Sequence, residues 1–295
     1  MIDICKCDVE DKEKLTLFRN LMLKWKKWLN GESGYDIFSQ IQDITWYDTV
    51  FRTFNKVRKL NYENPSDKIG FNGPIIELLD LGFFNTQTLA IRKLTDSNYK
   101  SPEKSVYSLV GLIDDIYSNI DIFTRENFIC YEGVPYNGPS LKMTNKWEYY
   151  WETKQENFDR FSGITENNRK RKDKIKESVL EKLKENLKLC KNIRTYVNKI
   201  VAHASTQESR KGLTDKQLTI TLGKLDNCYQ AIISTASFIS TTILCECNLG
   251  GVPTPQFDQF SNLNKPMVLD KDLETLEAFW SERTSEIEEW ESLEL

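Results

Sequence analysis

The chain has 295 residues, 28% of them charged and 39% hydrophobic, with a formal net charge of −4. That balance is ordinary for a soluble globular protein with material for one large core or two modest ones. It excludes a protein that coats nucleic acid indiscriminately.

Helical periodicity runs through nearly the whole chain. Residues 14–29 carry apolar side chains at three-and-four spacing (Leu15, Phe18, Leu21, Trp25, Trp28) and stop before Asn30-Gly31. Residues 37–60 read as a second long helix, and Pro65 ends the connection after it. Gly73-Pro74 opens a third element, from Ile75 to about Thr95. Ser101-Pro102-Glu103 is a favourable helix start, continued over residues 106–122. Residues 130–142, with two glycines and two prolines, read as a loop, and the aromatic-rich 147–161 as a helix. One long basic helix is expected from Lys172 to His203, then a turn at 207–212. Thr214-Asp215 caps a further helix reaching about Cys247. Residues 248–266 form a Gly/Pro linker, and 270–292 a last, acidic helix. No strand pattern, repeat or glycine-rich phosphate loop is visible. The expected fold is therefore all-α, an antiparallel helical bundle. Trp25, Trp28, Trp46, Trp147 and Trp151 are expected in cores or interfaces rather than as base-stacking platforms.

Charge is unevenly placed. Residues 168–199 are rich in Lys and Arg, whereas the tail from Asp270 is acidic. The plain reading is solvated helix faces; the alternative is that the tail screens an RNA-binding surface. Residues 227–245 carry no charge but are dense in Ser, Thr, Asn and Gln, which suits a buried central helix better than a membrane span. Seven cysteines with a polar N-terminal stretch suggest a reducing, cytoplasmic setting. The pairs Cys5-x-Cys7 and Cys245-x-Cys247 fit zinc-knuckle spacing poorly, so no metal and no cofactor is expected.

His203 is the only histidine. Any imidazole chemistry happens there or across a symmetric pair of chains. On an ideal helix Asn192, Tyr196 and Lys199 lie within about 40° of its direction, beside an apolar stripe of Leu183, Leu187, Cys190, Val197 and Val201. Such a file can bring an imidazole and an ammonium to one phosphate. Histidine exchanges protons near neutral pH, and a cation stabilises charge building on phosphorus. A histidine that merely satisfies a carbonyl at a helix end is the plainer alternative. Arg92 and Asp96 stand one turn apart and are expected to face together, either as a structural ion pair or lining the His203 cleft.

The stretch from Arg194 to His203 resembles the signature of the HEPN superfamily. Residues 85–96 (NTQTLAIRKLTD) and 105–114 (SVYSLVGLID) are similar to a helix pair of its abortive-infection, AbiU-type branch. The resemblance implies a HEPN-like bundle over residues 66–250, with N-terminal helices (1–65) packed on it and a linker plus acidic helix (251–295) after it. It further implies a homodimer with no membrane association, in which Arg and His of two protomers cut RNA without a metal. It places such a protein in toxin–antitoxin or antiphage defence, with an RNA substrate and an antitoxin or defence-system partner protein. Other members of the superfamily are inactive scaffolds, antitoxins or nucleotide binders. On this reading His203, Arg194 and Lys199 are catalytic, and Asn198, Tyr196, Arg92 and Asp96 bind substrate. The pattern departs at one point: the family's Arg precedes the His with four to six residues between them, and at those positions this chain has Asn198, Val197 and Tyr196. Arg194 has eight residues between it and His203 and on an ideal helix points about 180° away. Lys199, or Arg92 from the neighbouring helix, is the substitute cation.

Overall fold

Several helices of this chain begin where a short polar side chain satisfies a free backbone N–H. A computed structural model describes residues 7–31, 34–63, 70–97, 106–138, 145–203, 205–246, 254–255 and 257–290. Helix α1 (Lys12–Leu29) starts with the Asp11 carboxylate accepting from Lys14 N at 3.0 Å and ends with Lys26 and Lys27 in its last turn, a favourable match to the helix dipole. Helix α2 (Ile37–Glu63) follows. Helix α3 (Gly73–Leu94) starts with the Asn72 side-chain Oδ1 accepting from Ile75 N at 3.1 Å, and Pro74 sits in its first turn. Helix α4 (Leu109–Ser118) is capped by Ser108; the expected start at Ser101-Pro102 lies outside the described residues. A short helix α5 (Arg125–Ile129) was not expected, and the 130–142 loop opens with a 3-10 turn at Cys130–Glu132. Helix α6 (Asn145–Ser162) ends at Gly163, whose φ of +66° turns the chain with little strain.

The single long basic helix does not form. Residues 169–176 are irregular, and Thr124 and Lys174 make an isolated β-bridge. The helical stretch begins only with α7 (Glu177–Leu187) and tightens to a 3-10 turn at Lys188–Cys190. It continues as α8 (Lys191–Tyr196) and widens to a π-turn at Val197–Val201. The reason is long-range charge pairing. Arg169 bonds Asp159 at 2.6 Å, Arg171 bonds Glu126 at 2.5 Å and Asp8 at 3.3 Å, and Lys174 bonds Asp121 at 2.5 Å. These contacts pin the basic run against α5, α6 and the N-terminal segment instead of letting it coil. The helix expected from Thr214 to Cys247 is likewise divided. It consists of α9 (Asp215–Leu218), an extended break, α10 (Leu222–Phe238) and a second π-turn at Ile239–Ile243.

The core joins α1 to α10. Phe18, Met22 and Trp25 of α1, Ile41 and Phe51 of α2, Ile91 and Leu94 of α3, and Ile232 and Ala236 of α10 belong to one buried cluster. Small residues let α10 sit close to α7: Asn186 Nδ2 donates to Ala231 O, Ser234 Oγ and Thr235 Oγ1, each at 3.1 Å. The uncharged 227–245 stretch is thus a central packing element, and among the described residues no helix is long and apolar enough to cross a membrane. Trp25 is fully buried, and Trp28 and Trp151 pack against the core. The side chain of Trp147 lies outside the described residues. Contacts divide the chain into two compact units, Met1–Pro253 and Thr254–Leu295. The second contains α11 (Leu273–Glu289), which exposes Leu273, Leu276, Phe279, Trp280 and Ile287; Arg283 lies over the Trp290 ring at 4.6 Å.

Two buried cations hold α5 and α6 together. The Arg125 guanidinium, 0% exposed, donates to Asp173 at 2.9 Å, Asp159 at 2.8 Å, Gln155 Oε1 at 3.0 Å and Ser162 Oγ at 3.2 Å, and it stacks on Phe158. Replacing Arg125 by Met would strand these acceptors in the interior. The variant is expected to lose about 3–5 kcal/mol, read from the midpoint of urea unfolding; a loss below about 1 kcal/mol would contradict this role. Lys154, 2% exposed, donates to Phe128 O at 3.2 Å and faces the rings of Phe128, Tyr131 and Tyr150. Burial pushes its ammonium down to about 8. Between that value and its ordinary 10.5 the unfolded chain binds the extra proton, so this group adds stability as pH rises through that window. The buried thiol of Cys130, pushed up to about 12, acts in the opposite sense. The wild type and Lys154→Met must therefore be compared at each pH. From pH 7 to 10 the difference is expected to move toward the wild type by on the order of 1–3 kcal/mol. A pH-independent difference would show that Lys154 carries no shifted proton.

Candidate functional site

The site is built on α3 and the helix that ends at His203. The C-terminal half of α3 packs along α8 and the π-turn, with Ile91 and Leu94 sharing the core with Ile193 and Val197. A π-turn takes about one more residue than an α-turn, and such turns recur at functional sites. Every residue beyond it is therefore out of phase by roughly 100° with an ideal helix. The expected file of Asn192, Tyr196, Lys199 and His203 is broken for this reason. For the same reason Arg194 is no longer on the side of the helix opposite the residues after the turn.

His203 follows the π-turn by two residues and is exposed. Its carbonyl accepts from Ser205 N at 2.8 Å. Its imidazole has no hydrogen bond or ion pair among the described residues. The helix end is satisfied by Ser205, whose hydroxyl donates to Lys199 O at 2.6 Å. The imidazole is thus not needed as a cap. Lys199, inside the π-turn, donates through Nζ to Ser209 Oγ at 2.8 Å, which draws it toward the next turn of chain. Asn198, also in the π-turn, is half-buried.

The Arg92–Asp96 pair expected from helical spacing does not form. Helix α3 ends at Leu94 with Thr95 as its cap, so Asp96 lies beyond the last turn and the one-turn geometry is lost. Asp96 instead stands 3.9 Å from the Arg194 guanidinium, a long contact on a side chain 40% exposed. Its carbonyl accepts from Ser108 Oγ at 2.6 Å, which ties the end of α3 to the start of α4. Arg92 is half-buried, and its Nε is buried with no hydrogen-bond partner. Among the described residues the Arg92 guanidinium makes no ion pair. This is a costly state for a charged donor, and it leaves a cation available beside α8.

Tyr196, half-buried, faces a different feature. It lines an open cleft of about 440 Å³ together with Ile76, Glu77, Asp80 and Phe84 of α3 and Ile220. Sequence reasoning did not find this cleft, the π-turn or the role of Ser209, since none has a local pattern. Cys5 and Cys247 lie outside the described residues, so the two Cys-x-Cys pairs cannot be placed. Among the described residues no group of three or more His, Cys, Asp or Glu side chains is arranged to hold a metal.

The arrangement offers a solvent-accessible imidazole one helical turn past Lys199, with Arg194 on the same helix and Arg92 on its packed neighbour. Chemically it suits an anionic ligand and a proton transfer. The profile of the HEPN AbiU2 family matches residues 82–243, from the middle of α3 through the second π-turn. No curated protein and no solved structure matches the chain. The match spans more than half of the chain and contains the C-terminal half of α3, α8 and His203: the chain belongs to the AbiU2 branch of the HEPN superfamily, a family of the abortive-infection defence type.

Proposed function

We propose that the chain is a metal-independent endoribonuclease of a bacterial defence or toxin–antitoxin type, with His203 as its acid/base group. The observation that carries this reading is the sole imidazole. It is exposed, has no structural hydrogen bond among the described residues, and stands two residues past the π-turn that holds Lys199. In the reaction the imidazole takes the proton of a ribose 2′-hydroxyl, and the 2′-oxygen attacks the adjacent phosphorus. The P–O5′ bond breaks, the 5′-oxygen leaves with a proton, and a 2′,3′-cyclic phosphate remains. Arg194, Lys199 and Arg92 supply positive charge for the phosphorane-like transition state, while Asn198 and Tyr196 contribute to substrate binding and Asp96 restrains Arg194 until substrate displaces it. One chain has one imidazole, so a mechanism with a histidine base and a histidine acid needs two chains, and a homodimer fits this chemistry. An RNA substrate and an antitoxin or defence partner protein complete the proposal.

A second reading has its own observation. Arg194 is held at 3.9 Å by Asp96, which favours a non-catalytic member that binds a partner protein, nucleotide or RNA. The two readings separate on RNA cleavage in EDTA. Wild type is expected to leave 2′,3′-cyclic phosphate ends, and His203→Ala to lose about 10²-fold or more in rate. Equal cleavage by both proteins would end the nuclease reading, and no cleavage by either would favour the second. Asp96→Asn frees Arg194 and is expected to tighten RNA binding several-fold at low salt, an effect that fades as salt rises. Fluorescence anisotropy checks this; unchanged affinity at low salt would show that Asp96 does not restrain the site.

A further inference from the structure

The cleft lined by Tyr196 supplies no reacting group to the chemistry above, and its lining shows what part of the substrate Tyr196 would bind. Its walls are apolar: Ile76, Phe84 and Ile220. Its volume of about 440 Å³ lies within the usual range for small-ligand pockets. Three polar side chains reach it. Asp80 is neutralised by Arg58, whose Nη1 donates to it at 2.9 Å. The other two, the Glu77 carboxylate and the Tyr196 hydroxyl, have no hydrogen-bond or ion-pair partner among the described residues. An exposed carboxylate and a half-buried phenol therefore line one open cleft whose walls include the Tyr196 and Phe84 rings. A planar, aromatic ligand with hydrogen-bond donors on one edge fits that lining.

We propose that this cleft holds a guanine base of single-stranded RNA; the identity of the ligand as RNA rests on the nuclease reading. Unstacked bases are recognised by stacking on aromatic side chains and by hydrogen bonds to their edges. An ionised carboxylate only accepts. Guanine presents its N1–H and its exocyclic amino group side by side, so it can donate twice to Glu77. Adenine and cytosine set a ring acceptor beside their amino group, and uracil flanks its N3–H with two carbonyls; each turns a lone pair toward the carboxylate. The cleft is also placed to select a cleavage site. Tyr196 precedes His203 by seven residues, roughly 10 Å along a helix axis, within reach of a short stretch of extended strand. Glu77 and Tyr196 become specificity-determining residues, and the base they hold lies near the bond that is cut.

The test separates binding from cutting. Full-length protein in EDTA is titrated with 2′-O-methyl oligonucleotides, which lack the attacking hydroxyl. One is all-uridine and the other carries a single guanosine. Wild type is expected to bind the guanosine strand about tenfold more tightly, as for one well-placed bidentate pair. Glu77→Gln and Tyr196→Ala erase that preference. Tyr196→Phe keeps the ring and most of the preference, and His203→Ala keeps all of it. Equal binding of the two strands, binding of neither, or a preference that survives both Glu77→Gln and Tyr196→Ala overturns the proposal. So does a second copy of the chain seated on the neighbouring exposed Ile75, Leu78 and Leu79 that closes the cleft, seen as a dimer that Leu78→Glu dissociates without any base preference appearing. If the preference holds while His203→Ala cuts RNA as well as wild type, the nuclease reading fails and the cleft stands. If His203→Ala is inactive and the preference is absent, the reverse holds.

Discussion

The packing of α3 against the helix that ends at His203 determines what this molecule can do. Ile91 and Leu94 on one side, and Ile193 and Val197 on the other, are buried in the same core. Four side chains of that size contribute on the order of 1.5–3 kcal/mol each when buried, enough to hold a helix through an irregular turn. The irregularity is the π-turn at Val197–Val201. It delivers the chain to His203 out of phase with the helix before it, and it ends with backbone groups satisfied by Ser205 rather than by the imidazole. The core fixes the helix, the π-turn redirects its end, and the histidine is left facing solvent with no structural duty.

Much of the charge in the basic run is committed to ion pairs elsewhere in the protein. The basic run that looks from composition like an RNA-binding stripe is tied to carboxylates: Arg169 to Asp159, Arg171 to Glu126 and Asp8, Lys174 to Asp121, and Lys184 to Asp114. Arg125 is buried among four side-chain acceptors, Asp173, Gln155, Asp159 and Ser162. Against that background Arg92 differs, with a buried Nε lacking a partner, and Arg194 is only loosely held by Asp96. Both of these guanidinium groups lie on the two packed helices that carry the family's matched segment.

How much of this the sequence discloses depends on whether the cause is local. Helix starts at Asp11, Asn72 and Thr221 follow from capping side chains, which act within three residues. The all-α class follows from apolar periodicity, and the AbiU-type resemblance from the segments around Arg92 and His203. The break at 169–176 does not, because Arg169, Arg171 and Lys174 are held by carboxylates on other segments of the chain. The Arg92–Asp96 pair was misread because spacing assumes that the helix continues, and α3 stops at Leu94. Neither π-turn has a signature in residue types, so a file of side chains laid out at 100° per residue fails where the first of them begins. The Tyr196 cleft is assembled from α3, α8 and the segment before α10, and only folding brings its carboxylates and ring together.

One histidine per chain makes the central claim directly observable, since the imidazole has a single set of proton resonances. In EDTA, with a non-cleavable 2′-O-methyl RNA added stepwise, the account predicts that the His203 ring signals shift as the complex forms and return when salt releases the RNA. Ring signals that stay fixed while anisotropy shows the RNA bound would place the nucleic acid elsewhere on the protein and contradict the account.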